Sequence, residues 1–88
     1  MTESILLSQL PIGSHMTVLS VGGAESMRRR LEDLGVVEGT DITCLMTSPL
    51  GDPRAYQIRG AVIALRREDA AAVVGRLSTN AFRVGREP

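Results

Sequence analysis

The sequence predicts a mainly β domain, a small and strongly bent β-barrel with one amphipathic α-helix and one or two short helical turns. Three observations lead there. Four or five short segments rich in β-branched and apolar residues are punctuated by glycine and proline. Only one stretch keeps a helical apolar period. The chain has 88 residues with a 43% hydrophobic share, enough for one domain with a small core and too few for two. An open α+β sheet is the alternative architecture.

The elements follow in order. "ILLSQLPIG" predicts one helical turn, with Ser8 as N-cap, Leu7 and Leu10 facing inward, and Pro11 and Gly13 as breakers. "GSHM" (13–16) looks like a tag remnant but lies inside the apolar pattern, so it reads as native chain. "MTVLSV" predicts a strand of uncertain phase, Met16 and Val18 on one face and Leu19 and Val21 on the other. A bulge or burial on both sides would reconcile them. In "AESMRRRLEDLG", Ala24, Met27, Leu31 and Leu34 form a narrow helical stripe. Glu25 with Arg28 and Arg29, Arg28 with Glu32, and Arg29 with Asp33 are spaced as helical ion pairs. Gly35 suits the left-handed position that ends a helix, with Val36 returning to the last turn.

Gly39 marks a turn, after which Ile42, Cys44 and Met46 alternate on one strand face and Leu45 breaks the pattern, facing a partner or the edge of the core. In the next strand Tyr56 and Ile58 share a face, Arg59-Gly60 is a tight hairpin turn, and Ile63 with Leu65 lines the third. One further helical turn precedes a last strand, Val73 to Leu77. The domain is placed at residues 1–77, and residues 78–88, without a period, are expected to be a flexible tail.

Composition excludes several functions. Net charge is zero, with ten arginines against ten acids, so the basic field of a nucleic-acid binder is missing. Tyr56 and Phe82 are the only aromatics, too few for a base-stacking surface. No apolar run approaches the roughly 20 residues of a membrane span, and an acid stands where a signal peptide carries positive charge; a cytoplasmic protein is expected, without direct membrane insertion. The lone cysteine, Cys44, agrees with a reducing compartment.

"RRLEDLGVVEGTDIT" followed by "SPLGDPRAYQIRGAVIALRREDAAAV" resembles the ferrous iron transport protein A (FeoA) family. The resemblance rests on Arg30, Leu31, Leu34, Gly35 and Gly39, the loop Pro49 to Pro53, and Gly60, Ala64, Leu65, Arg66 and Ala70. The opening "LSQLPIGSHMTV" is similar as well, so residues 6–77 are covered. The resemblance implies an SH3-like barrel and a cytosolic accessory role in bacterial ferrous iron uptake. The implied partner is a membrane ferrous iron permease with a cytosolic GTPase domain, and transition-metal association is implied for the family as a whole. The alternative reading is a stand-alone SH3-like regulatory domain that binds another protein, such as a metal-responsive transcription regulator.

The candidate interaction residues are Pro49, Leu50, Gly51, Asp52, Pro53, Arg30, Leu34 and Gly35. Two prolines stiffen the loop, Gly51 permits positive φ, and Asp52 can accept from nearby backbone N–H groups. A stiff loop loses little entropy on binding. Leu50 at its tip has two readings, a plug on the barrel end or a contact with a partner protein. Arg28 to Arg30 read as a solvated helix face, or as a phosphate-binding patch or an arginine finger that assists the partner's GTPase; Arg30, lacking an acid at i+4, is the one unbalanced. Ala24, Met27, Leu31, Gly39, Cys44, Gly60 and Leu65 are assigned structural roles. Cys44 and His15 have no ligand-spaced neighbours, so no metal site and no cofactor are expected. No nucleophile–base pair or phosphate loop is present, and no enzyme is expected. Leu45 and Leu50 could support a weak homo-oligomer.

Overall fold

The computed structural model describes residues 4–78. Six strands form one sheet: β1 (Ser4–Leu6), β2 (His15–Val21), β3 (Asp41–Thr47), β4 (Arg54–Ile58), β5 (Ala61–Leu65) and β6 (Val73–Ser78). The order is β1-β6-β2-β3-β4-β5, and every neighbouring pair is antiparallel. A 3-10 turn (Leu7–Gln9) follows β1, α1 (Glu25–Asp33) joins β2 to β3, and the single turn α2 (Arg67–Ala70) joins β5 to β6. No helix among the described residues is long and apolar enough to cross a membrane.

The sheet curls because two strands carry an extra residue. The register of β2 against β6 shifts between Val18 and Ser20, and that of β3 against β4 shifts between Cys44 and Met46. Each such bulge adds local twist and bends its strand. The first resolves the uncertain phase of β2: Met16 and Val18 are fully buried, and Val21 packs at the edge of the core. The second corrects an expectation. Beyond Leu45 the alternation slips by one, so Met46 turns outward and is 61% exposed, while Ile42 and Cys44 stay buried.

The amino-terminal segment also differs from its reading. A helical turn capped by Ser8 was expected; instead Ser4–Leu6 pair with β6, and Leu6 stands at the cap of the 3-10 turn. The Gln9 side chain satisfies the Leu6 N–H at 3.0 Å. Three residues are too few for a period, which is why the strand was invisible in sequence. Leu7 and Leu10 are buried as expected. The Gly13–Met16 stretch is integral, since Gly13 N–H donates to the Cys44 carbonyl at 2.7 Å and Ser14 N–H to that of Pro11 at 3.0 Å.

α1 ends as its sequence predicts. Gly35 has φ +99°, its N–H donates to the Glu32 carbonyl, and Val36 N–H reaches Leu31, both at 2.9 Å. These are the two bonds of a Schellman ending. The stripe is narrower than expected: Leu31 is buried and Met27 packs against the core, but Ala24 and Leu34 flank the helix and are exposed. Of the anticipated pairs only Arg29–Glu25 forms, at 3.2 Å and well exposed, worth at most a few tenths of a kcal/mol. The Arg59–Gly60 turn has φ +51° and +84°, as a tight hairpin of mirror-image type needs. The last strand runs one residue further than expected, through Ser78; the rest of the anticipated tail lies outside the described residues.

The core is built from Tyr56, Leu7, Leu10, Met16, Leu31, Ile42 and Ile58 with smaller residues between them. Met16 packs closely over Gly75 on the adjacent strand. A Cβ on Gly75 would overlap the Met16 thioether and approach the Thr17 carbonyl oxygen, which belongs to backbone and cannot yield. Gly75→Ala is therefore expected to destabilise the domain by about 1–3 kcal/mol. Urea unfolding would show this as a lower midpoint at unchanged slope.

Candidate protein-interaction site

The loop between β3 and β4 is closed on itself by two backbone bonds. Gly51 N–H donates to Ser48 O at 2.8 Å and Ser48 N–H to Pro53 O at 3.1 Å. Pro49 supplies the fixed φ that the second position of such a turn favours, and Gly51 takes φ +89°. The Asp52–Pro53 peptide is cis.

Both ends of the loop are anchored. The Asp52 carboxylate accepts the Arg67 N–H at 2.8 Å. It thereby caps α2, whose own preceding residue, Arg66, offers no side-chain acceptor. The expected Asp52 bond thus exists, but its donor lies fifteen residues away rather than within the loop. On the other side, Arg54 is held by the Ser8 and Leu10 carbonyl oxygens at 2.7 and 2.6 Å. The turn projects from this braced base, and Leu50 at its tip is 92% exposed. In this structure Leu50 does not plug the barrel end, because its side chain stands in water. The Ser48 hydroxyl beneath it is buried and has no hydrogen-bond partner among the described residues.

The remaining candidates do not gather around Leu50. Arg30 crosses from α1 to Asp69 of α2 at 2.7 Å. Its charge is therefore balanced, by an acid 39 residues away that no i+4 count could reveal. Leu34 and Gly35 lie at the other end of the β4–β5 hairpin, because Gly35 abuts the Arg59 side chain at its tip. Five residues of β4 separate that tip from the loop, roughly 15 Å. The helix end and the loop are thus two separate surfaces.

An open cleft of about 530 Å³ lies between the α1–β3 connection and the hairpin, with Glu38, Asp41, Thr43, Gln57 and Arg59 in its lining. It was missed in sequence because its walls come from distant segments. Cys44 is buried, and burial pushes its thiol pKa up while Arg54 pulls it down. His15 Nδ1 lies 2.7 Å from the Thr43 hydroxyl. Among the described residues no three His, Cys, Asp or Glu side chains are grouped as metal ligands.

The FeoA domain pattern matches residues 5–77. The chain belongs to the FeoA domain family. A curated relative, the Fe(2+) transport protein A/Fe(2+) transporter FeoB fusion protein of Porphyromonas gingivalis, is 40% identical over 76 residues. That match covers 85% of this chain and 9% of the relative, so the chain corresponds to a small part of that protein. Among solved structures, a FeoA-like protein from Clostridium acetobutylicum superposes with a TM-score of 0.80 at 32% identity, covering 88% of this chain and 90% of that one. FeoA of Stenotrophomonas maltophilia, solved with zinc and described as a procaryotic SH3 domain protein, gives 0.72 at 33% identity, over 81% and 88% of the two chains. The SH3-like architecture expected from sequence is the one observed, and the FeoA match includes the braced loop and both helices.

Exposure and bracing separate two roles within one loop. Leu50→Ser is expected to leave stability unchanged within about 0.5 kcal/mol, since its side chain is already in water. Asp52→Ala, by uncapping α2, is expected to cost about 1 kcal/mol. Parallel urea curves for the two variants check both values.

Proposed function

We propose that this FeoA domain is a cytoplasmic accessory protein of bacterial ferrous iron uptake. It acts by protein–protein contact with the GTPase-containing part of a FeoB-type membrane permease, through the Pro49–Pro53 loop. The reading is one of binding, in which the domain makes and breaks no bond and iron is the cargo of the transporter. The observation that carries it is Leu50, 92% exposed on a loop whose two ends are tied into the barrel. A monomeric protein gains nothing by rigidly presenting a large apolar side chain to water, whereas an interface anchor works best when its conformation is fixed beforehand. The fusion of the two components in the Porphyromonas gingivalis relative supports a FeoB-type partner.

Arg30, Leu34 and Gly35 lie outside this loop surface, and their contacts give them work within the fold: Arg30 ties α1 to α2, and Gly35 ends α1. The contact is therefore assigned to the loop alone.

The test is an amide-shift titration of the labelled domain with the cytosolic GTPase domain of the permease from the same organism. Shifts centred on residues 48–54 are expected. Leu50→Ser should weaken binding by about tenfold to a hundredfold, the value of burying one leucine, with the fold intact. Unchanged affinity of a folded Leu50→Ser domain would refute the assignment.

A further inference from the structure

β5 (Ala61–Leu65) stands last in the strand order and pairs only with β4. A strand carries N–H and C=O groups toward both sides of its sheet. On the outer side of β5, no loop backbone and no side chain among the described residues hydrogen-bonds to this main chain. Proteins usually blunt such an edge with lysine, proline, a bulge or a covering segment. β5 has none of the first three: its sequence is Ala-Val-Ile-Ala-Leu, its register against β4 runs without a shift, and Val62 is 67% exposed. The opposite edge, β1, is only three residues long and leads directly into the turn held by Arg54.

We infer that the outer edge of β5 is a docking edge on which an extended segment of a partner protein adds as a further antiparallel or parallel strand. Main-chain bonds supply affinity in such strand addition, and alternate side chains supply choice. The charges at the two ends of β5 narrow the occupant. Arg59 precedes the strand and Arg66 and Arg67 follow it, and none of the three is within ion-pair distance of a carboxylate among the described residues. The nearby acids are Glu38 across the cleft from Arg59, and Glu68 and Asp52 beside Arg67, the last turned to the Arg67 N–H. A second copy is a poor fit: antiparallel pairing about Ile63 would set Arg59 of each copy opposite Arg67 of the other, and facing like charges are destabilising. The chain beyond β6 carries Arg83 and Arg86 against Glu87 and fits no better. The segment that fits is apolar and extended, with carboxylates at both ends.

Position ties this edge to the loop. Leu65, the last residue of β5, is opposite Arg54, the residue that follows Pro53, so the carboxyl end of β5 and the loop lie at the same end of the hairpin. One partner could engage both, but the edge argument does not need the loop contact.

The experiment titrates the labelled full chain with a designed peptide, Asp-Glu-Val-Thr-Ile-Thr-Val-Glu-Asp, and with a counterpart in which lysine replaces its four acids. Shifts centred on Ala61–Leu65 and slowed exchange of the outward β5 amides are expected, with the lysine peptide about tenfold weaker. Val62→Glu should fold normally, since Val62 is 67% exposed, and weaken binding of the acidic peptide by a similar factor. Leu50→Ser should leave it unchanged, so failure at the edge and failure of the loop reading are separately visible. Equal binding of both peptides, shifts elsewhere, no binding, or β5 amides already protected without peptide would each overturn the inference.

Discussion

One guanidinium ties the far half of the sheet to the turn after its first strand. Arg54, at the start of β4, donates to the carbonyl oxygens of Ser8 and Leu10 in the turn that follows β1, while the Tyr56 hydroxyl two residues on donates to Leu7 at 3.3 Å. In strand order β1 and β4 are four places apart, so these bonds exist only when the sheet has curled. Leu10, whose carbonyl takes one of these bonds, is fully buried, and a buried carbonyl without a partner costs about 1–3 kcal/mol. Arginine suits the place because its planar fork reaches two acceptors at once, which an ammonium cannot do with fixed geometry. The same guanidinium lies 5.8 Å from the Tyr56 ring centroid, within reach of a cation–π attraction.

The curl that Arg54 fastens is prepared by the bulges at Leu19 and Leu45, and these mark the limits of reading this sequence. The uncertain phase of "MTVLSV" was a bulge signal, because the slip in the pattern sits where β2 changes register. Leu45 carries the same signal, and the slip there reverses every later residue of the strand, Met46 first. Local chemistry was legible wherever a backbone requirement picks out one residue type. The Gly35 ending of α1 and the Arg59–Gly60 hairpin are of that kind. What could not be read was pairing at long range. The bonds from Arg54 to Ser8, Arg30 to Asp69 and Asp52 to Arg67 span 46, 39 and 15 residues, and no local spacing announces them.

The candidate site divides along the same line. That the Pro49–Pro53 segment is a stiff turn followed from its composition. Whether Leu50 turned in or out did not, because that depends on how the base of the loop is fixed. The base is fixed twice, by Asp52 capping α2 and by Arg54 clamping the amino-terminal turn, and the tip is left to project. Leu34 and Gly35 carry the same motif resemblance as the loop, but the length of β4 keeps them apart from it; Arg30 meets the loop only by way of α2, through Asp69.

Because Arg54 directly follows the loop, the residue that closes the barrel also orients the proposed contact loop. A partner that pulls on the loop acts on Arg54, and through it on the turn after β1; through Asp52 it acts on α2, and from there on α1 by way of Asp69 and Arg30. In a domain this small, the proposed contact and folding would therefore share their central contacts. Variants at Arg54 would alter both together, whereas Leu50, which touches neither anchor, separates them. The sheet edge at β5 offers a second surface with the same property, since an outward main chain can accept a strand without disturbing the core residues Tyr56 and Leu65 behind it.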